Sequence, residues 1–264
     1  STVEVERRQD CALCHRGTFA ESKDSDVLQA DARNLPDEFF RMWRCPACMS
    51  LHSLVPVSLK ELNRPSPYTK RKLNPFNQKM FEGFYQFLKK EGVKSTDKLL
   101  FYGLSAELFK TVFESICKSH VTIDDKTLSA EELAAPPSGD FDVVVVMEYL
   151  ECAEDPASVF RYFSNQLRKG GRLFVHTPDA TRVTLNSQAS WRLHQPYRVH
   201  ILSRLMLESL AHAQGYKTEA IYYRNHMDTP WPFINFHAFH ELPNFGDGTL
   251  DAAIEFKIPY LSRA

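Results

Sequence analysis

Four cysteines fall into two identical spacings, Cys11 and Cys14 in CALC and Cys45 and Cys48 in CPAC. Two turns that each present a pair of thiolates separated by two residues can close a tetrahedral S4 site, a donor set that suits zinc and stays inert to redox change. Thirty residues lie between the pairs, and SDVLQADARNLPDEFFRMWRC carries enough apolar residues for a hairpin there. The competing readings are two redox-active CxxC pairs or unrelated free thiols. His15 and His52 each follow a knuckle closely and are alternative ligands, although four thiolates already complete the set. A closed S4 site has no open coordination position, so its ion would fold the segment and would not activate water. Cys117 and Cys152 sit in apolar surroundings and read as small buried hydrophobes.

A second group of candidates lies where strands end. DKLLFYGLSAELFKTVF has the outline of a strand entering a helix, with Gly103 at the change of direction. Asp124 follows Gly103 by 21 positions. That is close to the ~20-residue spacing at which a carboxylate reaches ribose hydroxyls in nucleotide-binding βαβ units, where it accepts two hydrogen bonds from a vicinal diol. A solvated turn at DDKT is the other reading. Further on, WRLHQPYRVHILSRLML gathers Trp191, His194, Tyr197 and His200 ahead of a helix. Imidazole could serve there as a general base because its pKa lies near neutrality, and His176 is a further candidate of the same type. A hydrogen-bonded structural role is open to each of them. NHMDTPWPFINFHAFHELPNF reads as a lid, an interface loop or a cover for the sheet, with no metal-ligand spacing among its histidines.

The elements that must position these groups alternate from residue 98 onward, which argues for an α/β domain with a mostly parallel sheet. KLLFYG, HVTIDD, FDVVVVM and RLFVHTP read as strands, the third with the continuous β-branched run of a strand covered on both faces. In DPASVFRYFSNQLRKGG, Asp155 can cap a helix, Pro156 suits its first position, and Gly170 is expected to end it. LSRLMLESLAHAQGY is a further helix, begun by Ser203 and stopped by Gly215, and TEAIYYR and AAIEFKI look like late strands. Ahead of the domain, LKELNRPSPYTKRKLNP reads as a connector. FNQKMFEGFYQFLKKEG reads as a covering helix with Met80, Phe81, Phe84, Phe87 and Leu88 on one stripe. The expected division is a zinc-ribbon-like module over 1–60, a connector and helix over 61–96, and the α/β domain over 97–264.

FDVVVVMEYLECAEDPASVFRYFSNQLRKGGRLFVHTPDA resembles the central portion of class I S-adenosylmethionine-dependent methyltransferases. In that family an aspartate opens strand four, an acidic or polar residue ends it, a DP starts a helix, and a GG turn leads into a strand ending in TP. The resemblance extends over residues 98 to 225. It implies a Rossmann-like sheet and S-adenosylmethionine as cofactor, with Gly103, Asp124 and Glu148 near it and the His194 and His200 region facing the substrate. Two departures stand out. GLSAE replaces the family's GxGxG, so Leu104, Ser105 and Ala106 put side chains where the cofactor usually meets bare backbone. Only fifteen residues separate Asp125 from Phe141, too few for a helix, a strand and a second helix. The unit that ordinarily contributes to the adenine pocket is therefore expected to be vestigial, with the second strand at a sheet edge.

Composition bounds the remaining choices. The 264 residues include 32 basic and 33 acidic side chains, a formal charge of -1, so no strong field favours nucleic acid or an anionic membrane. No run of eighteen apolar residues occurs and the opening STVEVERRQD is polar in character, which leads to the expectation of a soluble, cytoplasmic protein. The leading expectation is methyl transfer from S-adenosylmethionine to a small molecule, with weakened cofactor affinity. The alternative is a methyltransferase-like binding or scaffold protein that carries a structural zinc and acts on a protein partner.

Overall fold

A computed structural model describes residues 9–30, 38–56, 75–103, 121–124, 128–147, 149–185, 195–196 and 198–221, with the backbone alone at 75–81 and 121–124. Two four-stranded sheets organise them. The first begins with the expected hairpin, β1 (Ser25–Gln29) antiparallel to β2 (Phe39–Arg44), and continues through β3 (Leu51–Ser53).

Helix α1 (Pro75–Lys90) follows, and its described stripe residues Phe84, Phe87 and Leu88 are buried. Phe84 packs edge-on against Phe101, which sets the helix against the second sheet. That sheet comprises β4 (Leu99–Gly103), β5 (Val121–Asp124), β6 (Phe141–Met147) and β7 (Leu167–His176) in the order β5-β4-β6-β7. All three pairings are parallel. Val143 through Met147 are buried, as a strand covered on both faces requires. Between β5 and β6 the described residues hold only the four-residue helix α2 (Ala130–Leu133), capped by Ser129, and no strand. β5 accordingly lies at the edge.

Helix α3 (Pro156–Gln166) starts as its sequence dictates: the Asp155 carboxylate accepts from the backbone N–H groups of Ala157 and Ser158, and Pro156 occupies the first turn. Its end differs from expectation. The helix stops at Gln166 and the chain passes directly into β7, while Gly170, with φ +77, sits in an irregularity of the β6–β7 pairing. Leu167 already pairs with Phe141, so sheet formation outcompetes another turn of helix. Past β7 the chain makes β8 (His200–Ile201) and α4 (Arg204–Ala213), capped by Ser203, with Gly215 at φ +79 just beyond. Residues 218–221 form no strand. The remainder of TEAIYYR, AAIEFKI, the helix expected after Gly103 and the aromatic stretch at 225–245 lie outside the described residues.

β8 does not join the parallel sheet. It pairs antiparallel with β3 and completes the first sheet as β1-β2-β3-β8. The two sheets also share their interiors: Cys11, Trp43, Cys45, Cys48 and Leu54 belong to one buried cluster with Leu100, Tyr102, Val144, Val146 and Phe163. A second cluster joins Leu28, Met42 and Leu51 to Ala180, Val183 and Ile201. No described helix is long and apolar enough to cross a membrane.

Candidate functional site

The two cysteine knuckles are built alike. In each, the backbone N–H of the residue after the second cysteine donates to the carbonyl of the first, His15 to Cys11 at 3.0 Å and Met49 to Cys45 at 2.9 Å. His15 (φ 57) and Met49 (φ 64) both take left-handed backbone conformations. Two non-glycine residues in that region at matched positions indicate a geometry imposed by the turns. Gly17 supports the site from the side, since a methyl group there would overlap the Cys45 sulfur.

Across the knuckles, Cys11 Sγ lies 3.6 Å from Cys48 Sγ, and Cys14 Sγ lies 3.6 Å from Cys45 Sγ. All four sulfurs fall within 4.8 Å of one another. A tetrahedral ion with metal–sulfur bonds of about 2.3 Å needs sulfur–sulfur edges of about 3.8 Å, so the four predicted residues could hold such an ion. The hydrogen bond from Cys11 lowers the pKa of the Cys48 thiol, with help from His52 and Ser50. Cys11 is correspondingly raised by that bond and by burial, and burial raises Cys45.

His15 is exposed on its turn. His52 is fully buried, and its Nε2 lies 3.1 Å from Cys11 Sγ. Its Nδ1 lies 2.9 Å from Nδ1 of His200, which is likewise fully buried. A proton on His52 Nε2 donates to the sulfur and leaves Nδ1 to accept from His200, one consistent assignment of the chain. Sequence reasoning expected His200 to face substrate; the structure places it in β8, against His52 and the cysteine knuckles. His194 and Glu148 lie outside the described residues.

The second candidate region is the carboxyl edge of the parallel sheet. The chain passes from β4 to β5 on one side and reaches β6 on the other, so strand order reverses at β4, where α/β sheets open a ligand crevice. Gly103 and Met147 form the last rung of β4 and β6, Met147 also pairs with His176, and Asp124 ends β5 opposite Tyr102. Gly103 is needed for the sheet itself, because a methyl group there would overlap the Met147 carbonyl oxygen.

Beyond this edge stands a pair that the sequence reading missed. Glu151, fully buried in the turn after β6, lies 3.9 Å from the buried guanidinium of Arg198 and accepts from Thr177 Oγ1 at 3.2 Å. The available signal was a carboxylate inside the apolar run YLECA, which burial would oblige to find a partner.

A family model described as a methyltransferase domain matches residues 88–221, just over half of the chain. The chain belongs to the methyltransferase-domain family. Among curated proteins it is similar to the ubiquinone biosynthesis O-methyltransferases of Xanthomonas axonopodis pv. citri, Xanthomonas oryzae pv. oryzae and Xanthomonas campestris pv. campestris, each 38% identical over 78 residues. Those matches cover 30% of this chain and 33% of each relative, so the chain spans about a third of their length. Among solved structures it is similar to the YcgJ protein from Bacillus subtilis, with 13% identity, a TM-score of 0.37, and coverage of 50% of this chain and 67% of that one. The family match takes in the sheet, its carboxyl edge and β8, whereas the cysteine knuckles lie outside it.

Proposed function

We propose that this chain is an S-adenosylmethionine-dependent methyltransferase acting on a small molecule, with zinc held by Cys11, Cys14, Cys45 and Cys48. The observation that carries the reading is the reversal of strand order at β4 in a member of this family, the place where a parallel sheet opens a ligand crevice, and it supports a cofactor site at the carboxyl edge that Gly103 and β5 reach, with Glu148 next in sequence after β6. S-adenosylmethionine bound there supplies an electrophilic methyl group on a sulfonium sulfur. The chain's own work is alignment and exclusion of water, with Asp124 accepting from the ribose diol. The name of the Xanthomonas relatives supports an oxygen atom as acceptor. Of the two histidines, His194 is the candidate base; His200, buried against His52, is better placed to serve the metal module.

A second reading, a methyltransferase-like scaffold with structural zinc, is favoured by one observation. The single glycine left at the turn is accounted for by its packing on Met147, so its presence does not require a cofactor. Calorimetric titration with S-adenosylmethionine and S-adenosylhomocysteine separates the two. Leu104 and Ala106 stand in the sequence where the family has glycines, and if each costs a backbone contact of about 1 kcal/mol or more, affinity should fall one to three orders of magnitude below a glycine-lined site, on the order of tenfold per 1.4 kcal/mol. Asp124→Ala should weaken it further. Absence of heat at millimolar cofactor would replace the enzyme by the scaffold, and binding indifferent to Asp124→Ala would move the site elsewhere.

A further inference from the structure

Arg198, Val199, His200, Ile201, Leu202 and Ser203 form a strap in which every residue is buried, none more than 2% exposed. Six consecutive residues without solvent contact, including an arginine, a histidine and a serine, are costly unless each polar group is met. The partners come from both sides.

Toward the metal knuckles, Ser203 Oγ donates to the Cys48 carbonyl at 2.5 Å, and the Ser203 N–H donates to Ser50 Oγ at 3.0 Å. His200 meets His52, which touches Cys11, and the Ser53 N–H donates to the Val199 carbonyl at 2.8 Å. Toward the parallel sheet, the Val199 N–H donates to the Glu151 carbonyl at 2.8 Å, and the Ala180 N–H to the Leu202 carbonyl at 3.0 Å. Arg198 pairs with Glu151, whose carboxylate also takes the Thr177 hydroxyl. The strap therefore connects two of the four cysteine positions to the turn that leaves β6, immediately beyond position 148.

We propose that Arg198 and Glu151 are positioning residues through which the metal module sets the wall of the methyl-transfer site after β6. This rests on the reading of the β4–β6 edge as the cofactor site. The metal fixes the knuckles, the knuckles fix the Ser203 and His200 end of the strap, and the Arg198 end fixes Glu151. A buried ion pair suits this use, because it rewards one geometry and penalises displacement of either partner. The interaction surface between module and sheet is thereby functional as well as structural.

The test reads amide hydrogen exchange in residues 149–153 of the full chain, with zinc bound and after its removal by a chelator. Wild-type protein should exchange about tenfold faster there without zinc, the signature of a local opening linked to the metal. The variant Arg198→Met/Glu151→Gln removes both charges together and leaves no lone buried ion. It should keep one zinc per chain, while the metal dependence at 149–153 falls to less than about threefold. Arg198→Lys should retain part of the response. A merely structural pair would lower global stability but leave the metal dependence at 149–153 as large as in wild type, and that result would overturn the proposal. So would wild-type exchange at 149–153 that ignores zinc. If zinc removal unfolds the whole chain, Ser203→Ala with zinc bound replaces it: faster exchange at 149–153 supports the coupling, and unchanged exchange refutes it. Exchange is read without cofactor, so failure of S-adenosylmethionine to bind would remove the enzyme reading and leave this measurement to decide the coupling by itself.

Discussion

Gly103 shows how one residue can satisfy two readings that only a structure separates. In the sequence it marks a turn where a cofactor could approach; in the fold it lets β4 close against the Met147 carbonyl. Gly103→Ala should therefore destabilise the protein by about 1 to 3 kcal/mol, the usual cost of forcing an extra methyl into packed backbone. The loss should be the same with and without S-adenosylmethionine if packing is its cause. A denaturant titration showing unchanged stability would contradict the packing role. The cysteine cluster is legible in the sequence because a knuckle is local: two thiols, two intervening residues and a turn. The His52–His200 contact is not, since the partners stand 148 positions apart and only the β3–β8 pairing brings them together. Gly17 escapes notice for a similar reason, as its constraint comes from the Cys45 sulfur on the other knuckle.

At the scale of elements, β4, β5, β6 and β7 follow from apolar runs and their spacing, and α3 from Asp155 and Pro156. Local pattern and tertiary demand agree in each. The helix end at Gly170 does not follow, because the pairing of Leu167 with Phe141 captures the chain first. β8 is illegible for another reason: two paired residues carry no periodicity, and the strand exists only because the module's sheet has an edge to offer. The opposite end of the parallel sheet is stapled by Asp142, whose carboxylate accepts the Lys98 N–H at 2.7 Å and pairs with Arg168. These partners, the Lys98 N–H first and then Arg168, hold Asp142 below the ordinary carboxylate range. A depressed folded pKa contributes stability above the unfolded value near 4 that is lost as pH falls through the folded one. Asp142→Asn should thus melt below wild type at about pH 7, with the difference shrinking as pH falls below about 4. A difference that persists unchanged across that range would rule out the charge as its source.

For the molecule as a whole, the knuckles, the antiparallel sheet and the parallel sheet act as neighbours with common cores, joined by Arg44 as well as by the strap. Its guanidinium binds Asp24 and donates to the carbonyls of Ala180 and Val183, each at 2.6 Å. With a formal charge of -1 the chain has no wide electrostatic field to offer, so a substrate crevice as proposed would have to select by shape and a few polar groups. In the proposed reading, S-adenosylmethionine binds at the carboxyl edge of β4, β5 and β6. Hydrogen exchange of the zinc-loaded chain, compared with and without saturating S-adenosylmethionine, addresses it directly. Binding there should slow exchange in residues 99–103, 121–124 and 147–152 and nowhere else. Protection absent from all three segments, or confined to the cysteine knuckles, would contradict it.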